Sequence, residues 1–223
     1  GDLAYFSIQA RQLLDEAGFP NAKIYASNDL DEYIIASLKS QDAAIDVWGV
    51  GTKLVTAFDQ PALGAVYKLS AVKNAAGTWE PKVKVSQQSL KINIPGIHKV
   101  RRYFSKGKAV ADMVYLEGQT IDPKGIMIID PNDATQRKRL MPAFYEEEEL
   151  LKPIFRKGEL VYSLPSLQKI RERAGVQLEG FDKTHKRLTN PHVYPVGLEE
   201  HLHHLRMELV IAAKNSQNDK NEV

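Results

Sequence analysis

Two short segments carry the residues best suited to hold an anion. Ser27-Asn28-Asp29 places a hydroxyl, an amide and a carboxylate directly after a run of strand-forming residues. Gly49-Val50-Gly51-Thr52 places two glycines and a second hydroxyl after the next such run. Glycine lets a ligand approach the main chain closely, and the N–H groups that open a helix lack partners of their own, so they attract a phosphate. In α/β folds with parallel strands, ligands bind at the carboxyl ends of the strands, and in TIM-like barrels the loops after the last two strands commonly take a phosphate. The two loops therefore read as one phosphate cradle. G-x-G-T is short, however, and a glycine pair after a strand also makes an ordinary tight turn; the residues alone leave both readings open.

The elements that must position these loops follow from periodicity. Ala4, Ile8, Leu13, Leu14 and Ala17 fall broadly at helical spacing, with Asp2 as N-cap and Gly18 and Pro20 as the stop. Residues 23–26 predict a short buried strand, 30–38 a second helix and 44–48 another strand, a helix–strand alternation that signals a parallel α/β unit. Two or three such units cannot close a barrel by themselves. From residue 65 the pattern changes: 65–69, 81–90, 109–116 and 125–129 read as strands separated by turn residues such as Asn74, Gly77, Pro95-Gly96 and Gly107, an antiparallel region of its own. Residues 130–149 are polar, and the run Glu146–Glu149 predicts a solvated face or a helix start. Residues 150–210 read as mostly helical, interrupted at Pro165, Gly180, Pro191, Pro195 and Gly197, with a frayed tail over 214–223.

Other clusters are weaker signals. His201 and His204 share a helical face beside His203, but a metal site on a helix usually needs a further converging ligand, so a solvated face is the simpler account. The basic stretch His98-Lys99-Val100-Arg101-Arg102 alternates with strand formers and reads as an exposed sheet face rather than a nucleic-acid surface. Arg137-Lys138-Arg139 reads as a loop charge cluster, with a place lining a partner subunit's site as the alternative. Trp48 and Trp79 read as packing residues. Asp46 suits either a structural hydrogen bond or the orienting of a ligand.

Composition bounds the classes. The 223 residues are 43% hydrophobic and 26% charged, ordinary for a globular protein, and a net charge of +2 gives no field for a nucleic acid or a membrane surface to respond to. There is no cysteine, which excludes disulfides and thiolate chemistry. No apolar run approaches the roughly 20 residues needed to cross a bilayer, and a cytoplasmic location is the default expectation. The chain opens Gly1-Asp2-Leu3 with no methionine and runs straight into a helix, so an incomplete chain is expected.

Several stretches together are similar to the second half of the nicotinate phosphoribosyltransferase family: Gly1-Asp2-Leu3-Ala4, residues 24–32 with Ser27-Asn28-Asp29-Leu30-Asp31, Asp46-Val47-Trp48-Gly49-Val50-Gly51-Thr52, Val66-Tyr67-Lys68-Leu69, and Tyr194-Pro195-Val196-Gly197-Leu198-Glu199. The order and spacing agree over nearly the whole chain. The nicotinamide-using branch looks more like G-D-G-V-D and G-S-G-G-G at the two loops, so the forms present here favour the nicotinate branch.

The resemblance implies an α/β fold: residues 1–64 as the last strands and helices of a TIM-like barrel, 65–149 as a mainly antiparallel β segment, and 150–223 as a helical C-terminal region. It implies that Ser27, Asn28, Gly51 and Thr52 hold the 5-phosphate of the ribose while Gly49 shapes the loop. Gly1-Asp2 matches the end of an R-x-D-S-G-D motif, whose arginine and first aspartate would precede residue 1. The histidine phosphorylated during ATP coupling also belongs to the earlier half, so no catalytic residue is expected in these 223 residues, and the chain alone is expected to be inactive. Nicotinate and phosphoribosyl pyrophosphate are the implied substrates, ATP and Mg²⁺ the implied cofactors, and a homodimer the implied assembly. The rivals are an enzyme using nicotinamide or quinolinate, and a non-catalytic half-barrel that binds a phosphate ligand.

Overall fold

The computed structural model describes residues 1–86 and 91–221. The chain folds as two compact units, Gly1–Val66 and Tyr67–Val223, with mixed α/β character.

The first unit runs α1 (Leu3–Glu16), β1 (Tyr25–Ser27), α2 (Glu32–Ser40), β2 (Val47–Gly49) and α3 (Thr52–Val55). Side-chain caps begin its two longer helices: Asp2 accepts from the N–H of Tyr5 at 3.0 Å, and Asp31 from that of Ile34 at 2.8 Å. Each satisfies one of the amides a helix start leaves open. The two strands pair in parallel, Tyr25 with Val47, Ala26 with Trp48 and Ser27 with Gly49. Ala4, Ala26, Leu30 and Leu38 form the core, with Trp48 and Val50 packed against it. The face α1 buries carries Ala4 and Ser7, while Leu13 is exposed. Ser7 is satisfied there, its hydroxyl donating to Ala4 O at 2.8 Å and accepting from Ala44 N at 3.0 Å.

The second unit is built on a six-stranded sheet in the order β8-β7-β12-β6-β5-β9. Its strands are β5 (His98–Ser105), β6 (Lys108–Leu116), β7 (Ile126–Ile129), β8 (Arg137–Leu140), β9 (Glu146–Glu149) and β12 (Val196–Glu199). One face carries Tyr103, Ala111, Met113, Tyr115, Ile126, Ile128 and Leu140 as its core; the alternation of β6 supplies three of these. The long helix α5 (Glu200–Asn221) packs on β7, β12 and β6. Two small hairpins, β3 (Ala71–Lys73) with β4 (Trp79–Pro81) and β10 (Phe155–Arg156) with β11 (Glu159–Leu160), and helix α4 (Leu167–Glu179) complete the unit.

The structure corrects several sequence expectations. Residues 65–69 form no strand; they are exposed and lack a register partner. The strand expected over 81–90 is confined to Trp79–Pro81, and residues 87–90 lie outside the described residues. Glu146–Glu149 is a largely solvated face, one of the two expected readings, but as an edge strand on β5 rather than a helix start, where Arg101 pairs with Glu147 at 3.0 Å and Glu149 at 2.6 Å. Arg137-Lys138-Arg139 lies in strand β8 rather than in a loop. The sheet is mixed rather than antiparallel throughout, because β12 runs parallel to β6 and antiparallel to β7. The C-terminal part is less helical than expected: 150–166 has no regular structure apart from one hairpin, and 196–199 is a sheet strand. The tail expected to fray continues α5 through Asn221, with 222–223 outside the described residues. Trp79 is 53% exposed, whereas Trp48 packs as expected. The basic face of β5 is half-buried, not exposed.

Candidate functional site

Ser27 and Gly49 are register partners at the last paired position of β1 and β2, so the two candidate loops leave the strand pair side by side at its carboxyl end. They approach closely. A Cβ placed on Gly49 would lie 3.1 Å from Ser27 Cβ and 3.4 Å from Ala26 O, a space that favours glycine. After Ser27 the chain turns through two left-handed residues, Asn28 (φ 95°) and Asp29 (φ 47°). Asn and Asp tolerate this region better than other side chains, yet its use by two successive non-glycine residues stores strain, a feature that clusters at functional sites. Asp31 then starts α2.

The second loop opens α3. Gly51 occupies its cap position with φ −108° and ψ −103°, and no side chain caps the helix. Nothing lies within 4 Å of the place where a Cβ on Gly51 would sit. The contrast with the capped α1 and α2 is direct: where an aspartate satisfies one opening amide of each of those helices, this turn has no side-chain cap and leaves its main-chain donors beside open space. Thr52, the first helical residue, adds its hydroxyl. Ser27, Asn28, Gly49, Gly51 and Thr52 are thus brought to one end of one strand pair.

Lys53 was not among the residues singled out from sequence. Its ammonium lies 3.9 Å from Asp31 Oδ2 and 3.4 Å from the centre of the Phe58 ring, tying the start of α3 to the cap of α2. A cavity of about 340 Å³ adjoins it, lined in part by Asp31, Glu32, Val50, Leu54 and Phe58. The available sequence signal was a lysine in the first turn after a glycine loop. Asp46 proves structural: its carboxylate accepts from Ile24 N at 2.9 Å and Lys23 Nζ at 3.0 Å, and the Ile24 amide, then Lys23, hold it below the usual carboxylate range. It thereby clamps the entry of β2 to that of β1.

Comparison with known proteins shows what the chain is similar to. The profile of the nicotinate phosphoribosyltransferase C-terminal domain matches residues 97–206. A nicotinate phosphoribosyltransferase of Bacillus subtilis (strain 168) is 40% identical over 218 residues, covering 96% of this chain and 44% of that protein. The chain belongs to the nicotinate phosphoribosyltransferase family. Its likeness to the nicotinate phosphoribosyltransferase of Caenorhabditis elegans is 34% identity over 213 residues, 91% of this chain and 37% of the relative. The crystal structure of human nicotinic acid phosphoribosyltransferase superposes with a TM-score of 0.63 at 25% identity, covering 94% of this chain and 38% of that one. The chain spans less than half the length of the nicotinate phosphoribosyltransferases it matches. The matched domain corresponds to β5 through the first part of α5, so the two loops lie ahead of it, within the wider span shared with the relatives.

Among the described residues no group of three His, Cys, Asp or Glu side chains could hold a metal ion, and no helix is long and apolar enough to cross a membrane. His203 is buried, and its ring stands 5.9 Å from that of His204.

Proposed function

We propose that this chain supplies the part of a nicotinate phosphoribosyltransferase that grips the ribose 5-phosphate. The observation that carries the reading is the pairing of Ser27 with Gly49, which sets an uncapped glycine turn beside a strained Ser-Asn-Asp turn at one strand end. Main-chain N–H groups of the Gly51 turn, the hydroxyls of Ser27 and Thr52 and the side-chain amide of Asn28 would donate to the phosphate oxygens, with Gly49 setting the loop shape. In this reading β1 and β2 are the last strands of a TIM-like barrel, with the divisions 1–64, 65–149 and 150–223 as barrel end, β segment and C-terminal region. A cytoplasmic homodimer is the setting the family implies.

The reaction so served joins nicotinate to phosphoribosyl pyrophosphate, giving nicotinate mononucleotide and pyrophosphate with ATP hydrolysis. Breaking the bond from the anomeric carbon to pyrophosphate builds positive charge on the ribose while the pyridine nitrogen closes from the opposite side. Alignment therefore decides the rate, and a cradle fixing the far phosphate contributes by restricting the sugar's position and orientation. Mg²⁺, where bound, neutralises charge on the departing pyrophosphate. The described residues do not form a metal cage, and no step of the cradle depends on one.

The test is calorimetric titration with nicotinate mononucleotide, comparing the chain with its Thr52→Ala variant. Loss of a hydrogen bond to a charged oxygen costs roughly 1.5–3 kcal/mol, so affinity should fall roughly ten- to a hundredfold. An unchanged affinity sinks the assignment. Turnover with nicotinate, nicotinamide and quinolinate, measured in a protein that carries these residues within the full length of its relatives, separates the neighbouring activities; preference for nicotinamide would overturn the choice of pyridine. Because the chain spans only 44% of the Bacillus subtilis relative, mononucleotide binding without turnover is the expected result for these residues alone.

A further inference from the structure

The second unit holds a groove of about 330 Å³, lined by Asp130, Gln136, Arg137, Lys138, His192 and Tyr194 among others. It opens because β12 pairs with β7 only at Leu198 and Glu199, so the chain leading in, 192–196, runs clear of the β7–β8 hairpin. Two cations reach it. Arg137 is exposed and its Nε donates to Ala134 O at 2.6 Å. Lys138 is half-buried and its Nζ donates to Val110 O at 2.9 Å. Both therefore spend a donor on a carbonyl, and among the described residues neither forms an ion pair.

The one carboxylate of the groove, Asp130, is turned into its own loop, where Oδ1 accepts from Asn132 N at 2.7 Å and Asp133 N at 3.1 Å. More positive charge lies close by on α5. Arg206 is 4% exposed; its Nη1 donates to Pro131 O at 2.7 Å, its buried Nε has no partner, and it too forms no ion pair among the described residues. His203 is 8% exposed with Nδ1 unpartnered, and Arg137 lies near enough to oppose its protonation. Glu200 acts on His203 in the opposite sense. Arg137 is exposed, Lys138 half-buried and Arg206 buried, and with no ion pair among the described residues their like charges oppose one another unless an anion joins them.

We propose that this groove binds a phosphate group, inorganic or carried on a small ester, through Arg137 and Lys138 with His192 at the rim. The planar guanidinium of Arg137 can give two parallel donors to one phosphate, while Lys138 supplies a point charge from the groove wall. The volume suits a phosphate with a small organic group attached. Burial holds the Lys138 ammonium below its ordinary pKa, and a bound anion would reverse that shift. All of these residues belong to the second unit, and none of them to the two loops of the first.

The experiment is a residue-resolved amide NMR titration of the full chain with inorganic phosphate, then with ribose 5-phosphate, at constant ionic strength. Saturable shifts are expected at 136–138 and 192–196, with dissociation constants at least tenfold weaker in Arg137→Gln and in Lys138→Gln. Lys99→Gln, which removes only a surface pair with Glu117, should leave them unchanged. Arg137 is exposed, so its variant should keep the wild-type spectrum away from the groove. Tighter binding of the sugar phosphate would assign the ester, and equal binding the inorganic ion. Shifts confined to 27–28 and 49–52, a linear response, or an unaltered dissociation constant in both groove variants would overturn the proposal; the first of these would leave the cradle reading intact.

Discussion

Asp112 joins three parts of the second unit, and its removal is the most demanding test of how that unit is held. On β6 its carboxylate accepts Arg102 Nε at 2.8 Å and Nη2 at 2.7 Å, a forked pair across to β5. Oδ1 also accepts the Tyr194 hydroxyl at 2.8 Å, and the Asp112 N–H donates to Pro195 O at 3.0 Å, fastening the chain that leads into β12. The Arg102 side chain is 15% exposed and that of Asp112 10%, so solvent screens the pair little. Arg102 also lies over the Phe181 ring, 4.9 Å from its centre.

Asp112→Ala would leave the guanidinium buried without its anion, at a cost of about 3–5 kcal/mol. It would also strand the Tyr194 hydroxyl, adding about 1 kcal/mol. Against a typical stability of about 5–15 kcal/mol this is a large fraction. The assay is urea titration followed by hydrogen exchange at β5 and β6 amides, which reports the second unit without assuming that both units unfold together. Tyr194→Phe should cost about 1–2 kcal/mol by the same readout, since it removes one bond to a charged acceptor. The double replacement Arg102→Met, Asp112→Leu should recover most of the loss, because no charge is then left unpaired. A loss below about 1 kcal/mol for Asp112→Ala, or a double variant no better than the single one, would refute the reasoning.

Two further outcomes follow from local geometry. Gly197→Ala would put a Cβ 2.5 Å from Ile129 O and 2.7 Å from its carbonyl carbon, so β12 and β7 must part; a loss of about 1–3 kcal/mol is expected, and an unchanged melting temperature would show that the strands can separate freely. His203 has its pKa lowered by burial first and by His204, Arg206 and Arg137 next, so its neutral form is favoured in the folded state. Its contribution to stability is complete above the unfolded value of about 6.5 and is lost as pH falls toward and through the lowered value. His203→Gln should therefore flatten the decline in urea midpoint below pH 6.5, and an identical decline in the variant would exclude His203 as its source.

Sequence made the first unit legible because its determinants are local. Asp2 caps α1 by a contact three residues away, and the loop residues Ser27-Asn28 and Gly49-Val50-Gly51-Thr52 follow strands a few residues long; the second helix, expected from residue 30, starts after the Asp31 cap. What sequence could not show there was that Ser27 and Gly49 face each other in register, or that Lys53 reaches back to Asp31. In the second unit the determinants are distant. Four successive glutamates have poor strand propensity, and Glu146–Glu149 becomes a strand because Arg101, 46 and 48 residues away, meets Glu147 and Glu149 across the edge of β5. Likewise Gly197 looks like a helix breaker in isolation, but it marks where β12 passes so close to Ile129 that a side chain cannot fit.

The same distinction bears on the proposed cradle. Two left-handed non-glycine residues in a row, Asn28 and Asp29, cost on the order of 1–3 kcal/mol each and persist only where the surroundings over-determine them. Here the constraint comes from both sides. Upstream, Asp46 clamps Ile24 and Lys23, and three register pairs hold β1 to β2 up to Ser27 itself. Downstream, Leu30 is 1% exposed in the core and Asp31 is committed to the cap of α2 while its other oxygen faces Lys53. Fixed at Ser27 and at Leu30, the chain has two residues in which to turn from strand to helix. A loop so short and so anchored holds its main chain in one arrangement, and that is the property the proposed phosphate anchor would require.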